Sequence, residues 1–114
     1  MNIKYIVLTV LIFFFNNIII WYQLNSQLVW DWAKGAKSMW IMSLMGIPIS
    51  LLFWYATKWG YIGFGNLWAV RFLGFATSMI TFPIMTYFYL GEVITLKTLI
   101  TILLAIIIMI LQLL

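Results

Sequence analysis

The sequence has 114 residues, of which 67% are apolar and 7% charged, and its net charge is +4. A soluble domain carries about 25% charged residues, and a chain this small has much surface per unit volume, so six basic and two acidic side chains cannot cover it in water. The absence of Cys and His excludes disulfides, thiolate chemistry, imidazole bases and the usual zinc ligands.

A membrane-spanning helix needs roughly 20 mostly apolar residues. The first predicted span is Tyr5 to Leu24, which holds no charge. Lys4 before an apolar run also fits a signal peptide. The run is longer than the usual apolar region of one, and no small-x-small cleavage site follows, so a span is expected. Asn25 to Lys37 is polar, with Asp31, Lys34, Gly35 and Lys37. Trp30 and Trp32 within it favour the headgroup level, so this connector is expected to lie along the interface.

The second span is predicted from about Ser38 to Thr57, with Pro48 near its middle as a kink. Lys58 to Gly65 is predicted as a turn with Gly60, Gly63 and Gly65 as breakers. The third span runs from about Asn66 to Leu90, with Arg71 near its start and Pro83 near its end. Gly91 is expected just past its end, where left-handed geometry favours glycine. Glu92 is expected in the first turn of the next helix, where the dipole favours an anion. The fourth span is predicted from about Val93 to Leu114, with Lys97 snorkelling near its start. The runs are continuous rather than alternating, which excludes a transmembrane barrel. The expected fold is an all-α membrane protein, a single bundle of four transmembrane helices over residues 1–114.

Four spans put Lys4, Lys58 and Arg71 on one side and Lys34, Lys37 and Lys97 on the other. The Lys/Arg bias that normally sets orientation is therefore absent. Insertion of copies in both orientations fits this balance. So does an orientation decided by other features.

Polar groups at membrane depth are expensive and mark candidate sites. Asn16 and Asn17 lie near the middle of the first span. They either line a solute path or hydrogen-bond between helices. Arg71 lies one to two turns inside the third span, and either clamps an anionic group or snorkels to headgroups. Trp54, Tyr55, Trp59, Tyr61, Phe64 and Trp68 form either a belt at the interface or a cation-binding face. Trp68, one turn from Arg71, is the best placed for a cage. Ala69, Gly74, Ala76, Thr77, Ser78 and Thr81 suit close helix packing, with Gly74 and Ser78 as a small-xxx-small pair, so the third span is expected at the crowded centre. The fourth offers only Ala105 as a small apolar residue and is expected to face lipid or to pack loosely. Asp31 and Glu92 are the only carboxylates and both lie near interfaces. No catalytic constellation is present, Gly60-x-x-Gly63-x-Gly65 lacks the context of a phosphate loop, and no metal or cofactor is expected. The thinly spread basic residues do not make a nucleic-acid footprint.

The segment PIMTYFYLGEVITLKTLITILLAIIIMILQLL, Pro83 to Leu114, resembles the closing hairpin of the drug/metabolite transporter superfamily. The resemblance rests on Leu90, Gly91, Glu92, Ile94 and Thr95 between an aromatic-rich helix and a final apolar helix. The length is similar to the small multidrug resistance branch, and Ala56, Tyr61-Ile62, Gly65 and Ala69 stand in matching order. Asn2, Tyr5-Ile6 and Leu8 are a weaker echo. The resemblance implies a four-helix transporter acting as a dimer. That branch carries a glutamate in its first helix for proton-coupled export of cations. Here the corresponding stretch reads Phe13, Phe14, Phe15, Asn16. The branch's glycine dimer pattern in the fourth helix is missing as well. With Arg71 present, a neutral or anionic solute fits the charges better than a cation.

The expected function is movement of a small neutral or anionic solute across a cell (inner) membrane by a homodimer, or by a pair with a related membrane partner. Asn16, Asn17, Trp68 and Arg71 would then face the site. A non-transporting subunit or assembly factor is the alternative, followed by a pore. No enzymatic activity is expected.

Overall fold

The computed structural model describes residues 2–114. Five α-helices follow in chain order: α1 Ile3–Val29, α2 Ala36–Leu44, α3 Gly46–Phe64, α4 Leu67–Leu90 and α5 Leu96–Leu113. One turn of 3-10 helix, Asp31–Ala33, lies between α1 and α2. No strand occurs among the described residues. α2 and α3 together make one span, Ala36–Phe64, so four stretches of helix are long and apolar enough to cross a bilayer. The chain is an all-α, four-span bundle.

The order of packing is simple. α1 lies against both α3 and α4, α3 touches α4, and α5 packs on α4 alone. The result is a slab of 46 × 35 × 18 Å. Phe13, Ala56, Val70 and Leu73 form the buried apolar centre, with Val10, Ile12, Phe64 and Met109 against it. α5 buries only Ala105. The third span is thus the most buried of the four and the fourth the least, as a crowded third span and a loosely packed fourth would be.

Several bounds move, each for a local reason. α1 continues to Val29 instead of ending at Leu24, so the polar residues from Asn25 to Gln27 are helical and the connector is short. α3 runs through Gly60 and Gly63, which are not turn residues. A Cβ at Gly60 would sit 2.9 Å from Val70 Cγ2, and one at Gly63 would sit 3.0 Å from the Ile6 backbone nitrogen. These glycines let α3 approach α1 and α4. Only Gly65, at φ 80°, ends the helix. Asn66 then starts α4 by accepting the Ala69 N–H at 2.9 Å, the usual N-cap bond.

Gly91 closes α4 at φ 68°, as expected. Glu92 is not in the next helix. Residues 91–95 are irregular, and Thr95 caps α5 by accepting the Thr98 N–H at 3.3 Å.

The second span is interrupted at Met45. Pro48 explains this. It lies in the first turn of α3, where proline is tolerated, but it has no N–H for the Leu44 carbonyl and its ring crowds that carbonyl. Regular helix therefore stops one turn before the proline.

Candidate functional site

The buried polar residues concentrate on α1 and on the face of α4 beside it. Thr9, Asn16, Asn17 and Ser26 are buried on α1, and Thr77, Thr81 and Thr86 on α4. Asn16 is wholly enclosed. Its Nδ2 donates to the Ile49 carbonyl at 3.3 Å, while its Oδ1 has no partner. Gln23 donates from Nε2 to the Met42 carbonyl at 3.0 Å. Seven residues are close to two helical turns, so Asn16 and Gln23 share one face of α1. Their bonds fall on either side of Met45. Neither reaches the Leu44 carbonyl that Pro48 leaves without a donor, and the Met42 carbonyl also accepts the Met45 N–H at 3.1 Å. The two amides brace the interrupted span from the neighbouring helix.

Asn17 is turned about 100° further round α1 and faces α4. Its Nδ2 donates to Thr77 Oγ1 at 3.0 Å. Thr77 Oγ1 in turn donates to the Gly74 carbonyl at 2.9 Å, and Thr81 Oγ1 donates to the Thr77 carbonyl at 2.8 Å. Trp21 Nε1 donates to Thr86 Oγ1 at 3.1 Å, and the Tyr22 and Tyr89 hydroxyls share a hydrogen bond. The seam holds amides, hydroxyls and an indole, and no carboxylate, ammonium or guanidinium.

Two hollows flank the second span. The larger, about 710 Å³, opens on the outer side of α2 and α3, lined by Ser43, Gly46, Ile47, Ser50, Trp54 and Tyr55, among others. It lies beside the interruption, and no residue lining it carries a formal charge. Ser43 Oγ donates to the Met39 carbonyl at 2.8 Å. The smaller, about 270 Å³, lies between the last turns of α1 and the start of α2.

The four residues singled out from sequence do not share one place. Asn16 and Asn17 are internal, whereas Trp68 is 71% exposed and Arg71 is exposed on the outside of α4. The Trp68 ring stacks on Phe72 at 5.6 Å, and the Arg71 guanidinium lies over the Phe75 ring at 5.6 Å. Within one chain, Arg71 and the two asparagines do not form a common site. Gly74 packs close to Phe13, at 3.2 Å from an added Cβ, while Ser78 faces outward.

Two features escaped the sequence reading. Gln23 acts as a partner of the interruption, and its two-turn spacing from Asn16 was the available signal. The packed aromatic group sits at the far ends of α1 and α4, not near the Gly65 turn. Trp21 stacks on Tyr89 at 5.1 Å, and Trp30 stacks on Trp32 at 6.0 Å. By contrast, Trp54, Tyr55, Tyr61 and Trp68 are exposed, as in a belt at the interface.

No family model matches the chain, and neither a curated protein nor a solved structure matches it.

Proposed function

We propose that this chain is half of a transporter that moves a small neutral, polar solute across a cell membrane as a pair of copies. The observation that carries this reading is the interrupted second span. Discontinuous helices recur where a solute site lies inside the bilayer, because the broken backbone offers polar groups that a continuous helix withholds. Here Asn16 and Gln23 hold the interruption from one side. The uncharged hollow with Ser43, Ser50, Trp54 and Tyr55 opens on the other. A second copy laid over that hollow would supply the missing wall.

The lining also speaks to the solute. Hydroxyls, an indole and apolar walls suit a neutral molecule with hydrogen-bonding groups. The anionic alternative loses support, because Arg71 lies on the outer face of α4 and does not line the hollow. A non-transporting membrane subunit is the second reading. It is favoured by the close packing around Asn17, whose amide is already bonded to Thr77.

The test is iso-osmotic swelling of proteoliposomes in urea, glycerol or erythritol, with potassium chloride as the ionic control. Pro48→Ala gives the Leu44 carbonyl its donor back and straightens the span. It is expected to cut solute flux about tenfold or more, a loss of about 1.4 kcal/mol or more in barrier terms. Trp68→Ala is expected to leave flux unchanged. Swelling no faster than in protein-free vesicles for every solute sinks transport and favours the subunit. Equal passage of the salt assigns a pore.

A further inference from the structure

We infer that the smaller hollow, between the last turns of α1 and the start of α2, binds the phosphate of an anionic phospholipid. Its wall includes Ser26, Gln27, Lys34, Gly35 and Ala36. The N-terminus of α2 opens into it. Gly35 stands at the cap position, no side chain caps the helix, and no acidic residue lies in its first turn. A Cβ at Gly35 would meet nothing within 4 Å. The space at the uncapped start of α2 is therefore open, with the positive end of the helix dipole behind it, an arrangement that favours an anion.

The second observation comes from α1. Ser26 is 2% exposed and lines the same hollow. Its hydroxyl takes part in none of the side-chain hydrogen bonds among the described residues. The amides at the hollow are already used: Gln23 donates to Met42 and Gln27 to the Leu24 carbonyl at 2.9 Å. What remains is the Ser26 hydroxyl and the uncapped N-terminus of α2. Lys34 adds charge at the rim, where its ammonium lies 3.0 Å from Asp31 Oδ1. That pair is exposed at both ends and weakly held, so Lys34 is free to turn toward a stronger anion. Lys37, also exposed, leaves the group with a net positive charge against the single carboxylate of Asp31.

The hollow fits a lipid better than a free ion, because its wall is amphipathic. Below the donors lie Leu24, Met39 and Met42, which suit the start of an acyl chain. Beside it the stacked Trp30 and Trp32 rings mark headgroup depth. A phosphate on the α2 N-terminus would leave the glycerol and chains to run down this apolar side.

Native mass spectrometry of the full chain in maltoside micelles tests this, with phosphatidylglycerol as the probe and diacylglycerol as its phosphate-free counterpart. One phosphatidylglycerol per chain is expected, held at least about tenfold more tightly than diacylglycerol. Gly35→Asp places a carboxylate on the α2 cap and is expected to lower retention about tenfold while leaving the melting temperature equal or higher. Lys34→Met is expected to lower retention about threefold, and Lys97→Met not at all. Equal retention by native chain and Gly35→Asp overturns the site, as does equal binding of diacylglycerol. Inorganic phosphate that raises the melting temperature as much as phosphatidylglycerol does would assign the hollow to a free anion and overturn the lipid.

Discussion

α1 and α5 are both long apolar helices, yet they are held in opposite ways. α1 lies between the second span and α4 and is tied to each by directional bonds: Asn16 to Ile49 of α3, Gln23 to Met42 of α2, and Asn17 to Thr77 and Trp21 to Thr86 of α4. α5 touches α4 alone and buries one alanine. Lipid is as apolar as leucine, so hydrophobicity alone does not drive helix to helix in a bilayer. Close backbone approach and polar bonds must do it, and α1 has both. α5 has the packing of Ala105 and Met109 and nothing polar across its interface. Position in this bundle thus follows from small and polar residues, while residence in the membrane follows from the apolar ones.

The sharpest attempt to break this contrast is at the α1–α3 crossing. Gly63→Val sets a branched side chain against the Ile6 backbone, where an added Cβ already stands 3.0 Å from nitrogen. Backbone cannot turn aside as a side chain can. Overpacking of this kind costs about 3 kcal/mol, and the variant is expected to shift reversible unfolding in mixed micelles by that amount. A shift under about 1 kcal/mol would mean that α1 is not closely seated on α3.

The same contrast explains what the sequence disclosed. The four spans were legible because continuous apolar runs have one meaning at this length. Asn66 and Gly91 marked the ends of α4 because an N-cap needs a side-chain acceptor and a left-handed helix end favours glycine, both read locally. Gly60 and Gly63 were misread, since a glycine that opens a turn and one that admits a neighbour look alike until the neighbour is placed. Pro48 announced a disturbance but not its site, which falls a turn earlier at Met45. Among candidate residues, Asn16 and Asn17 stood out as amides in an apolar run. Gln23 did not, because it lies near the end of the run, where polarity is ordinary. Trp68 and Arg71 were set beside the asparagines because rotation of a helix about its axis is hard to read when its inner and outer faces are equally apolar. Only the bonds and small residues fix that rotation.

A smaller effect is expected at the α1–α4 seam. Asn17→Ala removes the donor to Thr77, and Thr77→Val removes the acceptor. Interhelical bonds of this type contribute about 0.6 kcal/mol, reaching about 1.7. The double-mutant cycle should return a coupling of about 1 kcal/mol, since the pair is buried and its 3.0 Å separation is good. A coupling of zero would place the two side chains on independent partners and undo the claim that α1 is located by polar bonds.

The smallest effect belongs to α5. Ile107 is 50% exposed and lies on the side of α5 away from the seam. Ile107→Ala trades contact with lipid for contact with lipid, and the helix still carries Leu103, Leu104, Ile110 and Leu111 to keep it in the bilayer. Stability is expected to change by less than about 0.5 kcal/mol in the same unfolding assay. Ala105 sets the other limit on the same helix, because it is fully buried against α4. A loss above 1 kcal/mol at Ile107, comparable to that at Asn17, would show that α5 is seated against a surface this single chain does not provide. The two helices would then differ in which partner holds them and no longer in how firmly they are held.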